Sequence, residues 1–121
     1  MEKILALSDY RALAELRYQV RLFLHFSERE ARKMGLEPQQ HQLMLALKGL
    51  PPGRRPTVGT LAERLQIQHH STVELVNRLS AGGLVRRNRG DEDRRQVLLG
   101  LTPKGERGLR EALGIDPATV A

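Results

Sequence analysis

Residues 61–105 read LAERLQIQHHSTVELVNRLSAGGLVRRNRGDEDRRQVLLGLTPKG, two helical patterns followed by a short basic hairpin. The first pattern, VGTLAERL, has Thr57 before it as an N-cap and ends near Leu65. Three residues, Gln66 to Gln68, separate it from a second pattern that runs from His69 to the Gly82-Gly83 pair. Two short helices with so brief a connection predict a helix-turn-helix. On the second helix Thr72, Leu75, Val76 and Leu79 share a core face, while His69, His70, Val73, Glu74 and Asn77 lie opposite. The runs LVRR and RQVLLGL, joined by NRGDED, then predict two strands around an Arg-Gly-Asp turn. Val97, Leu99 and Leu101 alternate as a half-buried strand requires. A hairpin placed directly after a helix-turn-helix is a wing.

Upstream, SDYRALAELRYQVRLFLHFSEREARKM (8–34) carries no Gly or Pro and predicts one long helix, with Ser8 as N-cap and Gly35 at C′. Leu13, Leu16, Val20, Phe23 and Ser27 form one strip, expected to face the core; Tyr18, Leu22 and Phe26 form a second. Pro38 suits the first turn of a helix over 38–48 whose core side is read as Leu43, Leu45 and Leu47. Thr102-Pro103 opens a last helix that stops at Gly114, before Asp116-Pro117. The predicted fold class is mainly α with a small two-stranded β-hairpin (α+β), a winged helix-turn-helix with flanking dimerisation helices. It forms one domain over 1–121: an N-terminal helix at 8–34, the winged helix-turn-helix at 36–101 and a short C-terminal helix at 102–114.

The chain has 121 residues, with 20 Lys and Arg against 14 Asp and Glu, a formal net charge of +6. Such an excess favours a polyanionic partner, nucleic acid before membrane. There are no cysteines, so disulfides, thiolate metal sites and thiol redox sensing are excluded. No apolar run is long enough to span a bilayer, and no cleavage site follows the first residues, so a cytoplasmic location is expected. His69 and His70 are adjacent and point about 100° apart on a helix, a poor chelate. His25 and His41 fall on different helices, so no metal and no other cofactor is expected. No nucleophile motif, phosphate-binding Gly-rich loop or facing carboxylate pair is present, so no enzyme activity and no catalytic residue is expected.

Three linked pieces resemble the MarR family of bacterial transcription regulators: LAERL, then VNRL…GGLVRR, then DEDRRQVLLGLTPKG. The resemblance covers about 45 residues in matching order and spacing, and the flanking helices agree in kind. It implies a homodimer that reads a palindromic operator in double-stranded DNA, with recognition helices in successive major grooves and wing arginines in the flanking minor grooves. It often implies release by a small, frequently phenolic, effector, and regulation as a repressor. Its Asp-any-Arg wing motif makes Asp93 the brace and Arg95 the inserted arginine, with Arg94 their neighbour. Two departures stand out. Gln68 replaces the usual Ser or Thr cap of the recognition helix, and only 16 residues follow LTPKG. The dimer is therefore expected to rest on residues 8–34, with Leu109 and Leu113 at its edge.

Five arginines, Arg86, Arg87, Arg89, Arg94 and Arg95, surround the wing tip. Arginine suits a narrow minor groove and bonds phosphates in pairs. A solvated turn with internal ion pairs is the alternative. Gln68, His69, His70 and Ser71 lie at the helix end that meets base edges, Glu74 can accept from a cytosine amine, and Arg78 can reach a phosphate. The expected DNA-binding set is thus Gln68, His69, His70, Ser71, Glu74, Arg78, Arg87, Arg89, Asp93, Arg94 and Arg95. The competing function is a winged-helix protein-interaction module without specific DNA binding.

Overall fold

A computed structural model describes residues 4–90 and 95–113. The order is α1 (Leu7–Lys33), α2 (Pro38–Lys48), α3 (Val58–Leu65), α4 (His69–Ala81), β1 (Val85–Arg89), β2 (Val97–Leu101) and α5 (Pro103–Ala112). The chain is mainly α-helical with one two-stranded antiparallel hairpin. Among the described residues no helix is long and apolar enough to cross a membrane.

Helix boundaries follow local chemistry. α1 starts at Ala6 rather than Ser8, because the Ala6 amide donates to Asp9 Oδ2 at 3.0 Å and draws the first turn two residues earlier. It ends as expected at Gly35, whose φ of 76° is the left-handed conformation that glycine adopts without strain. There the Gly35 amide donates to the Arg32 carbonyl and Leu36 to Ala31, both at 3.0 Å, closing the orphan carbonyls. The end of α4 repeats the device, with Gly83 at φ 73° and the Leu84 amide on the Leu79 carbonyl at 2.9 Å. α3 starts at the expected Thr57, whose side chain accepts from the Thr60 amide at 3.1 Å.

The core joins Leu43, Met44 and Leu47 of α2 to Leu61 of α3, Leu75, Val76 and Leu79 of α4, and Val85, Leu99 and Leu109. The α4 core face, with buried Thr72, agrees with expectation. Three expectations about burial fail. Leu45 is exposed, because a residue two positions from Leu43 turns about 200° around the helix; buried His41 lies on the covered side instead. Val97 is exposed as well, since it pairs with Arg89 at the far end of the hairpin, beyond the core reached by Leu99. Leu109 is fully committed to the chain's own core, and only Leu113 is left half-buried at that edge.

The largest departure is α1. Every residue from Leu7 to Phe26 is exposed, and Ala31 is its one buried residue. The strip expected to face the core stands in the open, with Leu16 60% and Phe23 63% exposed. At about 1.5 Å per residue, some 30 Å of helix precedes Ser27, the first residue of α1 to be half-buried. Neither apolar strip is covered by this chain.

Candidate nucleic-acid interface

The start of α4 is an open surface. Its cap, Gln68, has β-region backbone angles but makes no side-chain cap bond. The helix starts there nonetheless, because the Thr72 hydroxyl and amide both donate to the Gln68 carbonyl, at 3.0 and 3.1 Å. Gln68, His69, His70 and Glu74 are exposed, and Ser71 is half-buried. The helix end leaves backbone N–H groups directed outward, the arrangement that accepts an anion. Val73, read as outward-facing, is half-buried.

The wing stands beside this helix and is tied to it. Arg87 of β1 donates a guanidinium hydrogen bond to Asn77 Oδ1 of α4. On the other edge of the hairpin the Leu99 amide donates to the Pro56 carbonyl at 2.8 Å, so the loop before α3 lies along β2. Arg55 in that loop donates to Gln96 Oε1 at the start of the second strand's run. Arg89 and Arg95 are exposed at the outer end of the wing, and each has an interaction partner. Asp93 and Arg94, expected as the brace and its neighbour, lie outside the described residues.

Arg78 separates from the group. It sits toward the other end of α4, with Nη1 3.5 Å from Glu37 Oε2, in a cleft shared with Lys104 and Arg107. Arg87 of the wing is bonded to α4 through Asn77 rather than through the Gln68–Glu74 end. Asn77, Arg55 and Gln96 were not expected as positioning residues. Their pairings join residues 10 and 41 positions apart, and no local pattern announces them. Among the described residues no three His, Asp or Glu side chains gather as a metal site.

The exit from the wing explains LTPKG residue by residue. The Thr102 hydroxyl accepts from the Gly105 amide at 3.0 Å and donates to the Gly83 carbonyl at 2.6 Å. Pro103 fills the first helical position, where no N–H is needed. Lys104 Nζ donates to the Gly82 carbonyl at 3.0 Å, and Gly105 lets α5 touch the backbone of Leu84. Thr102, Lys104 and Gly105 clasp the end of β2 onto the end of α4, which holds the wing against that helix.

The sequence profile of the MarR family matches residues 34–96. No curated protein matches the chain by sequence. Among solved structures, the transcriptional regulator BldR from Sulfolobus solfataricus is 28% identical with a TM-score of 0.68, over 95% of this chain and 79% of its own. A mutant MepR from S. aureus, bound to an oligodeoxyribonucleotide, gives 16% identity and a TM-score of 0.70, covering 84% and 74%. CouR from Rhodococcus jostii, bound to p-coumaroyl-CoA, gives 23% and 0.70, covering 92% and 76%. The profile spans more than half of the chain, including the helix-turn-helix and the first strand of the wing, and on that ground the chain belongs to the MarR family of transcriptional regulators, a class of proteins that are not enzymes.

Proposed function

We propose that the chain is a sequence-specific DNA-binding repressor that reads a palindromic operator as a homodimer. One observation carries the reading: the exposed arginine wing is tied by the Arg87–Asn77 bond to α4, the helix whose start is open. Gln68, His69, His70, Ser71 and Glu74 enter the major groove, and Arg89, Arg94 and Arg95 reach along the backbone into the minor groove. Asp93 braces the wing tip. Arg87 positions the wing through Asn77, and Arg78 faces away from the bases. MepR offers a precedent for DNA on this fold. A mobility shift against the DNA upstream of the protein's own gene tests the proposal. A protein that shifts that DNA no better than unrelated DNA at physiological salt is the interaction module instead.

Two substitutions divide the surface. Arg95→Ala weakens binding to all sequences alike and lowers the slope of log K against log salt by roughly one for each phosphate that the arginine neutralises. His70→Ala instead changes the ranking of operator variants, at about 1–3 kcal/mol for each base edge that the histidine reads. Equal salt slopes in the first case, or an unchanged ranking in the second, remove that residue from the interface.

The effector site we assign is a cavity of about 270 Å³ between α1 and α2, lined by Phe23, Leu24, Glu28, His41, Leu45 and Leu65. It is mostly apolar, and His41 is its buried polar group, with an Nε2 that has no hydrogen-bond partner among the described residues. CouR, with its bound thioester, is a precedent for a small ligand on this fold. Burial lowers the His41 pKa below the ordinary 6.5, because the buried site disfavours the charged imidazolium. The unfolded chain then binds the proton first as pH falls. Stability from this group is complete above pH 6.5 and declines below it, toward the depressed folded value. His41→Gln flattens that decline in urea midpoints measured between roughly pH 7.5 and 5; an unchanged decline assigns it to other groups.

A further inference from the structure

A second cavity has no part in that reading. It is a cleft of about 480 Å³ walled by the α1–α2 turn, the end of α4 and one side of α5. Its charged lining is Arg78 from α4 and Lys104, Arg107 and Glu111 from α5. Three cations line the cleft against one carboxylate, with Glu37 a second carboxylate beside Arg78, so positive charge is in excess.

None of the three cations is fully engaged. Lys104 uses one N–H on the Gly82 carbonyl, which offsets the partly negative C-terminal end of α4. Arg78 reaches Glu37 only at 3.5 Å, with both side chains more than half exposed, so the pair holds it weakly. Arg107 makes no ion pair or side-chain hydrogen bond with another described residue. Two guanidinium groups from different helices thus line one cleft with most of their donors unspent on described residues, each able to bond a planar or tetrahedral anion in a bidentate fork. Gly35 and Gly82 leave the backbone walls low, and Met34, Leu36 and Leu84 supply an apolar side.

DNA does not account for the cleft. Arg78 lies nine residues past His69, about 13–14 Å along the helix from the end that meets the bases. We infer that the cleft binds a small organic anion carrying two negative charges on a phosphoryl group, held between Arg78 and Arg107. Its occupant bridges α4, α5 and the base of α1.

Thermal unfolding of the full chain with added pyrophosphate tests this without any DNA. Pyrophosphate raises the wild-type Tm in a saturable way, whereas a neutral diol at equal concentration does not. Arg107→Gln and Arg78→Gln each weaken the response by about tenfold in pyrophosphate concentration. Arg64→Gln, at an exposed position of α3, leaves it unchanged and controls for general charge effects. Glu111→Gln moves it the other way, toward tighter binding, a gain that a merely structural role does not produce. An equal response in all four variants is non-specific screening and overturns the inference. So does DNA affinity that falls in Arg107→Gln as far as in Arg95→Ala with no anion added, because the cleft then holds the DNA backbone.

Discussion

Gly105→Ala lowers the folding stability by about 2–3 kcal/mol, even though helix propensity alone favours alanine by about 1 kcal/mol. Gly105 is the third residue of α5, where a methyl group is ordinarily welcome. Here a Cβ would stand 2.1 Å from the carbonyl oxygen of Leu84 and 3.0 Å from its carbon. Both are backbone atoms and cannot swing aside. The Leu84 carbonyl also accepts from the Thr102 amide at 3.1 Å, so retreat breaks the clasp between α4 and α5. Overpacking exceeds propensity. Gly108, one turn further on in the same helix, meets nothing within 4 Å, so there propensity alone operates. Gly108→Ala is therefore neutral or stabilises by up to about 1 kcal/mol. Urea unfolding shows a loss in Gly105→Ala and none in Gly108→Ala; a Gly105→Ala protein as stable as wild type means that α5 does not press on Leu84. A loss of this size is a large fraction of the ~5–15 kcal/mol that holds a domain folded.

The same glycine shows what sequence makes legible. Thr57, Gly35, Gly83 and Thr102 each act through bonds to residues within a few positions, and each was readable as a helix boundary. The α4 core face was readable because its period of 3.6 needs no knowledge of its neighbours. Gly105 could be read as part of a motif, but its reason, contact with Leu84 twenty-one positions earlier, could not. Arg87 and Arg78 look alike in sequence, as basic residues near a recognition surface. One is carried by the hairpin register to Asn77 and the other into a cleft with Arg107. Ser8 failed as a cap because Asp9 competes for the same helix start through the Ala6 amide. Periodicity also misjudged α1 by assuming that an apolar strip faces its own core. The pattern states that a surface is to be covered without stating by what.

A second copy of the chain is the cover we propose, and its loss has the largest effect on function. Leu13, Leu16, Val20 and Phe23 lie on one side of α1, and Tyr18, Leu22 and Phe26 on another, all between 46% and 63% exposed. A free helix of this composition is unstable in water, because tertiary burial rather than propensity supplies most helical stability. Packing two copies of α1 against each other buries apolar area on both, where a standard interface takes roughly 800 Å² per partner. It also meets the requirement of a palindrome, two recognition helices about 34–36 Å apart related by a two-fold axis. α5 has little to add, since Leu109 is spent on its own core. The double substitution Leu16→Glu, Phe23→Glu places two charges per chain in that interface, where they are buried without partners. Sedimentation at micromolar concentration then shows wild type as a dimer and the variant as a monomer. Affinity for a full palindrome falls on the order of a thousandfold, as the second half-site loses its tethered partner. Affinity for an isolated half-site stays nearly unchanged, because α4 and the wing take no support from these side chains. A wild-type monomer, or a doubly substituted dimer with intact operator binding, places the two-fold interface elsewhere.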